Sequence, residues 1–134
     1  MSMVKQEGAT WEESLAQSDK GVSFSENTIG RILLVTAFLP IPISFALLWY
    51  FIRPSEMPLV LHYNVYFGVD LLGTWWQAYI LPLLGVLFYG GHVFLARRFY
   101  MRAERIACYL MLLSAGMLSC GILIASMSTA FINY

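Results

Sequence analysis

Three long apolar runs, each bounded by charged or turn-forming residues, organise the chain. The first runs from Arg31 to Ile52 and is closed by Arg53-Pro54. The second runs from Trp75 to Ala96, closed by Arg97-Arg98, and the third from Ile106 to Ile132. Each exceeds the roughly 20 residues that cover a hydrocarbon layer about 30 Å thick at about 1.5 Å of helix rise per residue. A backbone in lipid must satisfy its own hydrogen bonds, and no alternation of period two competes inside the runs. The pattern therefore predicts an all-α integral membrane fold. Residues 29–134 form a three-helix transmembrane domain (helices 31–52, 75–96 and 106–132) with an ordered loop at 53–74, preceded by a polar tail at 1–28. Within that tail Thr10-Trp11-Glu12-Glu13 matches a capping box and would start a short amphipathic turn; otherwise the tail reads as a fluid extension. It is too polar, and the run after it too long, for a cleavable signal peptide.

Composition agrees with that pattern and removes alternatives. Hydrophobic residues make up 59% and charged residues 12%, against about 45–50% and about 25% in a soluble domain. A small soluble chain has too much surface to hide so much apolar material, and disorder requires the opposite balance. Eight basic and eight acidic residues cancel, so no whole-chain positive field points to nucleic acid. Where the cations lie matters more than their sum. Lys5, Lys20 and Arg31 lie in the amino-terminal segment, up to the first residue of the first run, and Arg97, Arg98, Arg102 and Arg105 follow the second, whereas the first loop carries only Arg53. This bias places the amino terminus and second loop in the cytoplasm, and the first loop and Tyr134 outside the cell membrane. Trp49, Tyr50, Trp75, Trp76, Tyr79 and Tyr134 would form the outer aromatic belt, and Tyr100 and Tyr109 the inner one.

Candidate chemistry inside the runs is sparse. No Asp, Glu, Lys or Arg occupies a helix middle, which argues against a pump or transporter working alone. His92, in Gly90-Gly91-His92, reads as an interfacial histidine; the alternative is a proton-sensitive or ligand group where glycines let another helix approach. His62 and His92 are separated by about 24 Å of helix, too far to clamp one metal ion or haem. Cys108 and Cys120 are about 18 Å apart on one helix, beyond disulfide reach, and read as small buried hydrophobes. No cofactor, metal site or catalytic set is expected. Pro40 and Pro42 interrupt the first helix and Pro82 the second, each removing a donor and bending its helix. On the third helix Ser114, Leu118, Gly121, Ala125 and Ser128 share a face of mostly small residues. Such a face is a packing surface in lipid, either for the chain's own helices or for another subunit.

The loop between the first two helices is too patterned for a linker. Leu59 to Phe67 is β-branched and aromatic, which predicts an extended run. Its faces would be His62, Asn64 and Tyr66 on one side, and Leu61, Tyr63, Val65 and Phe67 on the other, over the helix tops or the membrane interface. Gly68, Asp70 and Gly73 would mark turns leading to Thr74, a helix N-cap.

His62-Tyr63-Asn64, preceded by Pro58 and followed by Gly68, Asp70 and Gly73, resembles the loop of a bacterial transmembrane domain of unknown function. That domain carries Pro-x-His-Phe/Tyr-Asn, then Gly, Asp and Gly, after its first membrane helix. It occurs alone and within membrane proteins similar to the immunity proteins of sporulation-delaying toxins. The resemblance covers the first helix, loop and second helix, and implies a small bacterial inner-membrane protein with His62, Asn64, Gly68, Asp70 and Gly73 as its motif. Two physical readings of that motif stay open. It is either a structural cap on the bundle, or a site where His62 and Asp70 meet a metal ion or a partner's charged group. The function expected is a non-enzymatic membrane protein that meets a protein or peptide partner at the outer face, with a homo-oligomer through the small face of the third helix as a further partner. The alternative is an accessory subunit of a transport or secretion complex docked through the third helix.

Overall fold

The computed structural model describes residues 23–134, so the Thr10–Glu13 capping box lies outside the described residues. Three helical spans are long and apolar enough to cross a membrane: Thr28–Phe51, Trp75–Met101 and Arg105–Ile132. The first comprises α1 (Thr28–Phe38) and α2 (Pro40–Phe51), joined at Leu39. It starts three residues earlier than the hydropathy suggests, because the Asn27 side chain accepts from the Gly30 amide at 3.1 Å and caps it. The break falls where Pro40 and Pro42, two residues apart, withdraw two donors from the helical ladder. Pro40 opens α2 in the first-turn position, where proline costs least.

The second span begins with a 3₁₀ turn over Trp75–Tyr79 and continues as α3 (Ile80–Met101). Thr74 is its N-cap, as the sequence implies, and the Thr74 amide donates to Gln77 Oε1 at 2.8 Å. Pro82 is the third residue of α3, so its missing donor falls in the first α-turn. Arg97 and Arg98 do not end this helix. The chain stays helical to Met101, because charge ends an apolar run without disturbing backbone hydrogen bonds. The turn that follows is closed by Glu104 N to Phe99 O (3.0 Å) and Ala103 N to Tyr100 O (3.1 Å), the paired bonds of a Schellman motif. Ala103 occupies its left-handed position with φ 62°. The third span, α4 (Arg105–Ile132), runs along both others.

The loop between the first two spans corrects the expectation of one extended run followed by turns. It is an antiparallel hairpin, β1 (Leu59–Asn64) and β2 (Gly68–Gly73), so a small sheet joins the helices. The register pairs Val60 with Leu72 and then His62 with Leu71, so a bulge falls around Leu61. The register shifts again between His62 and Tyr63, which pairs with Val69, and the two irregularities break the strict alternation of faces anticipated from period two. Gly68, Asp70 and Gly73 thus belong to a strand. Only Gly68 takes a turn conformation, at φ 80°, where the chain re-enters the sheet.

The core runs along α4. Cys108, Leu112, Ala115, Ser119, Ile122, Ser126 and Ala130 form its buried face. Gly85 marks the tightest crossing, since a Cβ there would lie 3.0 Å from Ile122 Cδ1 and 3.7 Å from Ile41 Cγ1. At the end bearing the hairpin, Leu59 and Leu61 pack with Trp75 and Tyr79 onto Leu48, Ile52, Ala78 and Ala130. At the opposite end, rich in arginine, Phe24, Tyr100 and Tyr109 cover Ala96, Cys108 and Leu112. There the Asn27 amide nitrogen donates to Tyr109 Oη at 2.6 Å, tying the start of α1 to α4. The lateral surface is apolar, with Val35, Leu87, Phe94, Met117 and Ile124 all exposed.

Candidate functional site

The hairpin end concentrates the unusual features. His62 and Asp70 meet across the strands, with Nδ1–H donating to Asp70 Oδ1 at 2.7 Å. The His62 side chain is 63% exposed and that of Asp70 41%, so water screens the pair and it contributes at most about 1 kcal/mol. Among the described residues no third His, Cys, Asp or Glu joins them into a group that could hold a metal ion. Asn64 accepts from the Tyr66 amide at 2.9 Å and closes the turn as an Asx motif. Gly73 sits under two side chains. A Cβ there would run into Gln77 Oε1 and Leu61 Cδ1, the first of which is already engaged with the Thr74 amide. All five motif residues therefore gather in one hairpin, and each has a distinct role in its geometry.

Asn133 is the residue that the sequence reading misses. Its carboxamide accepts from Val60 N at 2.8 Å and donates to Val60 O at 2.7 Å, as a neighbouring strand would. A third bond, to Thr129 O at 2.8 Å, fixes the side chain on α4. The last turn of α4 thus clamps the outer edge of β1. A polar asparagine ending an apolar run is the only trace of this in the sequence, and nothing in its spacing points to Val60.

Anchored at its base, the hairpin presents an exposed apolar tip. Val65, Tyr66 and Phe67 are 84%, 91% and 85% exposed. Beneath the sheet, a cleft of about 770 Å³ opens between α3 and α4. Leu61, Leu71 and Leu72 form its roof, Leu81 and Leu84 one wall, and Ala125 and Ser128 the other, with polar groups from His62, Gln77 and Thr129 at its margin.

The small-residue face of α4 lies beside the buried one. Ser114, Gly121 and Ser128 are exposed, Leu118 and Ala125 half-buried, and a Cβ on Gly121 would meet no atom within 4 Å. His92 turns into the bundle: Nδ1–H donates to Phe88 O at 2.7 Å, and Ser114 Oγ lies 3.4 Å from Nε2. It therefore links α3 to α4. Cys108 is buried, Cys120 exposed, and both are free. In comparisons with protein-family models, curated proteins and solved structures, no match to this chain is found.

Proposed function

We propose that the chain is a non-enzymatic, multi-pass membrane protein that binds a protein or peptide partner with its hairpin end, outside the cytoplasm. The observation carrying this reading is the tip Val65-Tyr66-Phe67, apolar and exposed on a hairpin whose base is clamped by Asn133. A floppy loop would hide such residues by collapse; a fixed one displays them, and displayed apolar surface marks a contact. Tyr and Phe are efficient contact residues because they offer large area at small rotamer cost. His62 and Asp70 supply a polar rim beside that tip. The loop's resemblance to the bacterial transmembrane domain fits this reading, since it centres on the same hairpin.

Photocrosslinking in living cells tests the proposal, with Tyr66 replaced by a photoreactive phenylalanine analogue. The expected result is one stoichiometric adduct that disappears when Val65→Ser and Phe67→Ser are added, with the protein still inserted. Crosslinks to lipid alone would sink it, assigning the tip to the membrane interface.

A second reading rests on α4. Gly121 and Ser128 on its small face are exposed, and a Cβ on Gly121 would meet no atom within 4 Å, as expected of an accessory subunit docked on a larger assembly through this helix. Purification in mild detergent separates the two. A multi-helix partner lost on Gly121→Leu, but retained by the tip variant, selects the subunit.

A further inference from the structure

At the opposite end the charge reverses. Among the described residues, Arg31, Arg97, Arg98, Arg102 and Arg105 there outnumber Glu26 and Glu104 by five to two, a net +3. The hairpin end has Arg53 against Glu56 and Asp70, a net −1. The four arginines around the α3–α4 turn are all exposed. Among the described residues the one ion pair is His62–Asp70, so none of these arginines has a carboxylate partner. Glu104, the single acid in this turn, forms no side-chain cap on α4.

The Schellman turn at Ala103 folds this charge around a cleft of about 420 Å³. Arg97 from the last turns of α3 and Arg105 from the start of α4 line it, together with Ser23, Phe24, Tyr100 and Met101. The Arg105 guanidinium carbon lies 6.0 Å from the Tyr100 ring centre, which orients that side chain over an aromatic face. The cleft is therefore cationic on both flanks and apolar along its floor.

We propose that this cleft binds the phosphate headgroup of an anionic phospholipid in the leaflet at the arginine end, with the phosphate between Arg97 and Arg105. Guanidinium groups match phosphate oxygens through paired N–H donors. The apolar lining of Phe24, Tyr100 and Met101 distinguishes a lipid from free phosphate, because it accepts the glycerol and upper acyl chain next to the charge. Basic pockets between helices at membrane depth suit anionic headgroups for this reason. The site rests on the membrane reading above, though not on the hairpin partner or on which side the arginine end faces.

The test is native mass spectrometry of the full chain in neutral detergent with equimolar phosphatidylglycerol and phosphatidylcholine. Phosphatidylglycerol should be retained preferentially, and the preference should fade at molar salt. Arg97→Gln and Arg105→Gln should each lower it about fivefold, whereas Arg53→Gln should leave it unchanged. Equal retention of both lipids overturns the proposal, as does full preference in the double variant. Displacement of the lipid by inorganic phosphate at equal concentration also overturns it, in favour of a free-anion site. If the variants fail to fold, the wild-type lipid preference and its salt dependence decide alone. Chains that never enter the membrane fraction would refute the membrane reading separately.

Discussion

Ala103 carries a conformational cost that glycine would not. At φ 62° it occupies the left-handed position of the Schellman turn, where a side chain crowds the backbone. Ala103→Gly should therefore raise stability by roughly 0.5–1 kcal/mol, read from denaturation in detergent. The gain is limited because glycine also has more freedom to lose from the unfolded chain. His62 gives the contrasting case. Its bond to Asp70 is short but exposed, so His62→Ala should cost under about 1 kcal/mol in the same assay. If partner binding vanishes while melting hardly moves, the residue belongs to a site; proportional losses make it a brace.

Among the elements, the clamp on β1 is the most exposed to test. Asn133→Ala deletes both bonds to Val60 and strands its amide and carbonyl. Loss of about 1–3 kcal/mol is expected locally, seen as faster hydrogen exchange at Val60 while the middle of α4 stays protected. For α4, Gly121→Leu should reduce crosslinked dimer if its small face joins copies, whereas unchanged crosslinking would return that face to lipid. The three helical spans were legible in the sequence because hydropathy over some 20 residues is a sum, insensitive to any one position. Their joints at Pro40 and Thr74 were legible because proline and N-cap chemistry are local. The hairpin was not. Glycines at 68 and 73 read as turns, although one supplies a positive φ at a strand start and the other makes room for Gln77 and Leu61. Two register shifts around His62 then interrupted the expected alternation of faces. The motif residues were found, and the clamp that positions them was not, since it joins residues 73 apart.

For the whole molecule, the two ends differ in kind: a hairpin with an apolar tip at one, exposed arginines at the other. The orientation proposed from this charge bias has the arginine end in the cytoplasm. An alkaline phosphatase fused after Tyr134 through a flexible linker should then be active, and a cytoplasmic reporter at the same point silent. The reverse pattern would refute either the count of crossings or their direction.

The contact between Val60 and Asn133 also sets an order of events during biosynthesis. At about 5–20 residues per second, Asn133 leaves the ribosome roughly 4–15 s after Val60. Until then β1 has an open edge and the nascent hairpin lacks its clamp. Factors that attend newly inserted chains therefore meet the tip before it is held in place. A chain stalled within α4 would leave the hairpin unanchored, making that end the natural place for quality-control proteases to distinguish finished molecules from incomplete ones.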